Sequence, residues 1–184
     1  MSGSGERGRT GSLVHVALGS NLGNSPAILR RAMDRLDALA VAPVARSSLW
    51  CSTPVDCPPG SPTFTNAAVG LTPRSGETPE SLLRQLQALE VEFGRRPKQV
   101  LNEARPLDLD LIRWGDERRD TAFLILPHPR AHLRRFVLAP LAELDPTLRL
   151  SGHARTIAEW LELAEPDPGL RRIGPGEAQG GRFP

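Results

Sequence analysis

The sequence predicts an α+β fold: a ferredoxin-like βαββαβ core with an antiparallel sheet and additional C-terminal helices. Two observations predict it. Apolar runs and amphipathic stretches alternate as strand, helix, strand, strand, helix, strand over residues 13–112, the split βαβ order. Two further segments follow, 124–144, in which a helix can start at Pro129 at the earliest, and a helix near 156–164, and they can cover another face or edge of the sheet.

The first strand is the short apolar run "LVHVAL" (13–18), followed by the loop "GSNLGNSP". Asn24 or Ser25 can cap a helix with Pro26 in its first turn. Ile28, Leu29, Ala32, Leu36 and Leu39 give that helix an apolar stripe at the helical period. Residues 44–53 read as extended, and a Pro-rich loop, "PVDCPPGSP" (54–62), separates them from the strand "FTNAAVGLT" (64–72). Thr78 caps a second helix with Pro79 at its first position. Leu82, Leu83, Leu86, Leu89 and Phe93 form its stripe, and Gly94 ends it. A polar loop, 94–105, leads into "RPLDLDLI" (105–112), whose alternation reads as a strand.

The chain has 184 residues, which fits one domain with tails. Residues 13–164 are read as that domain, 1–12 as a disordered leader and 165–184, rich in Gly, Pro and Arg, as a flexible tail. A hydrophobic share of 39% and a charged share of 24% are ordinary for a globular protein. The net charge of +2 is too small to imply nucleic acid and is compatible with an anionic substrate. No run approaches the roughly 18 apolar residues of a membrane span, and the first twelve residues lack the apolar region of a secretory signal. Two cysteines, Cys51 and Cys57, make no disulfide framework, so a cytoplasmic protein with free thiols is expected. There is no internal repeat.

Asp108 and Asp110 carry the first chemical question. On a strand, Leu107, Leu109 and Leu111 share one face, and the two aspartates share the other, with Cα atoms roughly 6.6 Å apart. Asp is depleted in strands, and Ile112 falls on the same face, so that face is not simply wet. Adjacent carboxylates raise each other's pKa unless a cation lies between them. Mg²⁺ is held by one or two carboxylates plus substrate phosphates, and a pair of such ions clamps a phosphoryl transfer. On spacing alone, a metal site and a solvated strand face stand level. The neighbours favour the metal: Arg95, Arg96, Lys98 and Arg105 precede the pair, and Arg130, Arg134 and Arg135 follow it. Guanidinium forks suit phosphate oxygens, although any one of these arginines taken singly is better read as surface charge.

Other features are weaker. "GSNLGN" (19–24) opens a helix and could hold an anion on backbone N–H groups, but it lacks the lysine and spacing of a P-loop, and a plain turn is favoured. His128 and His132 lie four apart without a third ligand, so one phosphate-binding histidine is preferred to a zinc site. Phe64 and Phe136, judged singly, are core residues.

Taken in order, the segments resemble a known family. "VALGSNLGN" is similar to "ALGSNLG", "SSLWCSTPV" to "SSLYETEPV", "FTNAAV" to "FLNAAV", "RPLDLDLI" to "RTLDLDLL", and "LPHPRAHLRRFVLAPLAEL" to "LPHPRMHERAFVLVPLAEI". These are strings of the 6-hydroxymethyl-7,8-dihydropterin pyrophosphokinases of folate biosynthesis, and the resemblance covers about residues 13 to 163.

The resemblance implies transfer of pyrophosphate from ATP to the pterin's hydroxymethyl group, with release of AMP. It implies two Mg²⁺ ions held by Asp108 and Asp110, and phosphate contacts from Arg95, Arg105, His128 and Arg134. Gln87 and Glu90 match positions on the nucleotide side. Phe64 and Phe136 match the aromatic pair that sandwiches the pterin, and Asn66 the amide that reads its edge. Ser52 and Val55 match positions whose backbone groups bind the same edge. The expected partners are small molecules, with no nucleic acid and no membrane, and the chain is expected to be a monomer. One stretch departs from the family: Pro97, Leu101 and Asn102 stand where it often has Arg, Arg and Trp, which puts the lid over ATP in question. Two rival readings share the topology: an inactive pterin or nucleotide binder of the same family, and an RNA-binding module. The latter lacks its aromatic motif here, with no Tyr and five Phe in the chain.

Overall fold

A computed structural model describes residues 13–96 and 103–174. The expected leader (1–12), the end of the expected tail (175–184), and Pro97, Lys98, Leu101 and Asn102 of the departing loop lie outside the described residues.

The strands are β1 (Val14–Ser20), β2 (Ala45–Arg46), β3 (Trp50–Ser52), β4 (Phe64–Leu71), β5 (Asp108–Trp114), β6 (Arg119–Asp120), β7 (Ile125–Leu126) and β8 (Arg171–Arg172). The helices are α1 (Ser25–Asp37), α2 (Pro79–Glu92), α3 (Arg135–Leu144) and α4 (Ile157–Leu163). The main sheet runs β5-β1-β4-β3-β8, with β2 also paired to β4 and every neighbour antiparallel. The four core strands therefore take the ferredoxin-like order. β6 and β7 form a separate hairpin.

Local chemistry explains both early helices. The Asn24 side chain accepts the Ala27 N–H at the start of α1, with Pro26 in the first turn. Leu29, Ala32, Met33 and Leu36 are its buried stripe. Thr78 and Ser81 form a reciprocal capping box on α2, and Leu82, Leu86 and Leu89 face inward. Ile28, Leu39, Leu83 and Phe93, the outer members of the expected stripes, are partly buried against the same core.

The sheet is covered on both sides. Val14, Val16 and Leu18 of β1 and Leu109 and Leu111 of β5 meet α1 and α2. Ala17, Ala68 and Ile112 point the opposite way, under Val137, Leu138 and Leu141 of α3 and Ile157 of α4. Ile112 is fully buried there. It sits at a bulge: Val16 pairs with Leu111 and His15 with Arg113, so the residues after Ile112 change face, and Trp114 joins the α1–α2 core.

In three stretches the structure departs from or goes beyond the sequence expectation. Residues 44–53 form two short strands, because the ladder with β4 breaks at 47–49, where the Ser47 hydroxyl accepts the Ala68 N–H. Within 124–144 the helix begins at Arg135, after the earliest start that Pro129 allows: β7, a 3-10 turn (Ala131–Leu133) and a non-helical Arg134 precede α3. The chain from Asp167 to Ile173, within the Gly-, Pro- and Arg-rich end of the sequence, holds a turn and strand β8.

Candidate active site

The site lies at one end of the sheet, on the face toward α3. Gly19 on the central strand pairs with Asn66 of β4 on one side and Asp108 of β5 on the other. Directly opposed residues in antiparallel strands present side chains to the same face. The row therefore reads Asn66, no side chain, Asp108, and a trough opens between the amide and the carboxylate. A Cβ at Gly19 would stand 3.8–3.9 Å from Asn66, Asp108 and Phe64. Two residues along, Ala17 pairs with Asp110, again leaving room. Phe64 borders this trough from the start of β4 and Phe136 from α3, and Ser52, Val55 and Asn66 complete a mainly apolar pocket. The Asn66 amide donates to the Ser52 hydroxyl (2.8 Å), which fixes the amide's orientation.

A second, polar pocket adjoins it. Arg105, Asp108, Asp110 and Arg134 line both. Helix α2 delivers Arg95 to this pocket through its C-terminal turn. Gly94 takes φ +92° and its N–H bonds the Val91 carbonyl, while the Arg95 N–H returns to the Glu90 carbonyl (3.0 Å), a Schellman close. Arg95 then bridges the Glu90 carboxylate and Asp108 (2.7 Å). Glu90 is the one polar residue in the buried stripe of α2, and it is held there by Arg95 and by the Leu109 N–H (2.7 Å). Burial pushes its carboxyl up to about 7, against the pull of the Leu109 N–H and Arg95.

The two aspartates are treated differently. Asp108 also pairs with Arg105 (3.4 Å). Asp110 has no hydrogen bond or ion pair among the described residues. Burial raises its pKa, and the Asp108 charge raises it further. A carboxylate pair short of one positive partner, with oxygen donors only, fits a hard divalent cation such as Mg²⁺. No group of three or more His, Cys, Asp or Glu that could hold a metal occurs among the described residues, so remaining ligands would come from phosphate and water.

His128 and Arg134 close the polar pocket, beside Gln87 of α2 and Arg130. The His128 Nδ1 accepts the Arg130 N–H (3.2 Å), so Nε2 carries the proton and can donate. Burial lowers the His128 pKa, against the opposing charge of Asp110. Burial, then Arg130, lowers that of Arg134, whose guanidinium lies 5.6 Å from the Phe136 ring centroid. A third pocket continues from Leu83, Leu109, Asp110 and His128 to Thr121 and the Phe123–Ile125 segment.

The profile of the 7,8-dihydro-6-hydroxymethylpterin-pyrophosphokinase (HPPK) family matches residues 15–146. The chain belongs to this family. The family's Pseudomonas aeruginosa member, a 2-amino-4-hydroxy-6-hydroxymethyldihydropteridine pyrophosphokinase, is 38% identical over 161 residues, 87% of this chain and 96% of that one. The protein of the same name from Synechocystis is 37% identical over 150 residues, 82% of this chain and 75% of that one. Among solved structures, Plasmodium falciparum HPPK-DHPS wild type with SDX-DHP superposes with a TM-score of 0.65 at 13% identity. That match covers 84% of this chain and 44% of the Plasmodium chain, and it concerns the fold alone.

For a pyrophosphokinase of this family, the expected site residues fall into two adjoining groups. Ser52, Val55, Phe64, Asn66 and Phe136 line the apolar pocket. Gln87, Glu90, Arg95 and His128 line the polar one, and Arg105, Asp108, Asp110 and Arg134 lie between. His132 is not with them: its ring packs at a tilt against His153 (4.7 Å) and Trp160 (4.9 Å). "GSNLGN" behaves as a turn whose Asn21 binds the backbone of Arg105. Asn21 and the third pocket carry no motif that marks them in the sequence, whereas Arg130 stands among the arginines near the aspartate pair. Asn21 is a polar residue that folding buries, and nothing local in the sequence signals that.

Proposed function

We propose that this protein transfers the terminal diphosphate of ATP to the hydroxymethyl group of 6-hydroxymethyl-7,8-dihydropterin and releases AMP, a step of folate biosynthesis. One observation carries the residue assignment: a mainly apolar pocket bordered by Phe64 and Phe136 and an arginine-rich polar pocket share a wall made of Arg105, Asp108, Asp110 and Arg134. Such a wall sets an acceptor hydroxyl beside a phosphate chain.

Phe64 and Phe136 take the pterin ring between them, and Asn66, whose amide has donor and acceptor, reads its polar edge together with the backbone at Ser52 and Val55. Arg95, Arg105, His128 and Arg134 hold the phosphates, Gln87 and Glu90 line the nucleotide side, and the third pocket takes the nucleoside. Asp108 and Asp110 are the residues that would hold two Mg²⁺ ions. Bound Mg²⁺ supplies charge neutralisation on the phosphates and a lower pKa for the attacking hydroxyl. The hydroxyl oxygen forms its bond to the β-phosphorus as the bond from that phosphorus to the α,β-bridging oxygen breaks, and AMP carries that oxygen away. The arginines contribute by fixing the chain in line and by meeting charge on its oxygens.

The pyrophosphokinase domain would run from residue 13 to about 173, past the boundary at 164 expected from the sequence, because β8 joins the main sheet and Ile173 the main core. No helix among the described residues is long and apolar enough to cross a membrane. Together with free cysteines, that supports a cytoplasmic enzyme. An RNA-binding sheet needs an open face for its stacking aromatics, and here α3 and α4 cover one face and α1 and α2 the other. AMP release from ATP, with and without the hydroxymethyl pterin, tests the reading. Pterin-dependent AMP is expected. Binding of both ligands without turnover would favour an inactive member.

A further inference from the structure

The family profile ends at residue 146, yet the chain after it returns to the substrate end of the sheet. β8 pairs with β3 on its outer edge, Arg172 opposite Trp50 and Arg171 opposite Cys51. The Ile173 N–H donates to the Leu49 carbonyl (2.8 Å), and the Ile173 side chain is buried in the main core. Without β8, β3 would be an open sheet edge. Just before β8, the Asp167 carboxylate accepts the Thr53 hydroxyl (2.8 Å) and the Thr53 N–H (3.3 Å). The same carboxylate accepts the Gly169 N–H (2.9 Å), which folds residues 167–170 into a tight turn. Gly169 lies against Thr53 so closely that a Cβ there would meet Thr53 Cγ2 at 2.5 Å. A third tie comes from α3: Glu143 pairs with Arg172 (3.0 Å) and accepts the Trp50 indole N–H (3.1 Å) and the Ser48 hydroxyl (2.6 Å).

These ties converge on a short piece of chain. Ser52, Thr53, Val55, Asp56 and Cys57 form the outer wall of the apolar pocket; the Cys57 thiol bonds the nearby Val55 carbonyl, and Asp56 takes a left-handed φ of +53°. We propose that residues 167–173 act as a strap that positions the 52–57 wall for the pterin, with Asp167 as its clasp and Gly169 as the close-approach point. Asp167 touches Thr53, not the reacting atoms, so it is a positioning residue. The strap's ties run to Leu49, Trp50, Cys51, Thr53 and Glu143, on the apolar-pocket side, so it sets pterin affinity more than nucleotide affinity. This inference rests on the pterin reading of the apolar pocket.

The test uses the full chain with Asp167→Ala, Gly169→Ala and Asp167→Asn. Hydrogen exchange of the free protein comes first, because it does not depend on what the pocket binds. Asp167→Ala and Gly169→Ala should speed exchange over residues 50–57 and leave 108–114 unchanged. Unchanged exchange at 50–57 overturns the strap, whatever the pocket's ligand. Calorimetry then compares the hydroxymethyl dihydropterin with a non-hydrolysable ATP analogue. Losing one or two hydrogen bonds that fix the wall should weaken the pterin at least about fivefold in Asp167→Ala. The ATP analogue should bind as in wild type, kcat at saturating pterin should hold, and Asp167→Asn, which keeps an acceptor oxygen, should recover part of the loss. Equal loss for both ligands would mean general destabilisation and overturns the proposal. A wild-type chain that binds ATP but no pterin sinks the pterin reading instead, while the exchange result still decides the strap.

Discussion

Asn21 holds the backbone of Arg105 from both sides. Its Oδ1 accepts the Arg105 N–H (2.9 Å), and its own N–H donates to the Arg105 carbonyl (3.2 Å). The loop after β1 thus fixes where the last arginine before the aspartates stands. Arg105→Ala should lower turnover at least about tenfold, roughly 1.4 kcal/mol of transition-state stabilisation. Asn21→Ala should move the same parameter less, because the guanidinium remains and only its anchor loosens. Arg96→Ala should cost less than Arg105→Ala. Steady-state kinetics on the three variants decides the ranking, and Arg105→Ala as the mildest would remove Arg105 from phosphate positioning.

Asp110 has the opposite situation from Asp108: both are half-buried, but no protein cation among the described residues is bonded to Asp110. Its ionised form is disfavoured in the fold, so the charge costs stability at neutral pH when no metal is added. Asp110→Asn is expected to melt no lower than wild type in chelator, while AMP release falls at least about a hundredfold. A variant with near wild-type turnover would end the assignment of Mg²⁺ to this pair.

Phe136 is half-buried and packs against the α3 core while its ring borders the apolar pocket. Phe136→Ala should weaken pterin binding about tenfold or more, from lost stacking and contact area. Binding of an ATP analogue should change by less than about twofold. Equal losses for both ligands in calorimetry would make Phe136 a core residue and nothing more.

His15 lies almost fully buried on β1, opposite Arg113. Burial, then the Arg113 charge, lowers its pKa from 6.5 to about 4, against the pull of Asp145. The folded state therefore binds this proton more weakly than the unfolded chain does. Stability is full above the unfolded value of 6.5 and is lost as pH falls toward 4, where the loss levels off. The expected loss by about pH 5 is on the order of 2 kcal/mol. Urea unfolding at neutral pH and near pH 5 measures it, and His15→Gln should flatten that slope. An equal slope in the variant would assign the acid sensitivity to other groups.

Much of this protein is written locally. A cap, a proline and an i, i+3, i+4 stripe specify α1 and α2 from within a few residues, and alternation alone places Asp108 and Asp110 on one face of β5 and Leu107, Leu109 and Leu111 on the other. Those signals need no partner, because capping hydrogen bonds and side-chain periodicity are properties of adjacent residues. The ordered strings around them sufficed to identify the family. Other features had no local signal. β8 is two arginines whose hydrogen bonds come from β3, far away in the chain, so composition alone made them tail. α3 begins at Arg135, after the 3-10 turn, although apolar residues continue on both sides of that point. Glu90 looks like an error in an apolar stripe until Arg95 and Leu109 are seen to satisfy it. The empty row at Gly19 becomes a trough only because β1 runs between β4 and β5, with Asn66 and Asp108 as its banks. Long-range pairing decided these matters, since a strand edge, a buried carboxylate and a glycine acquire their meaning from what is packed beside them.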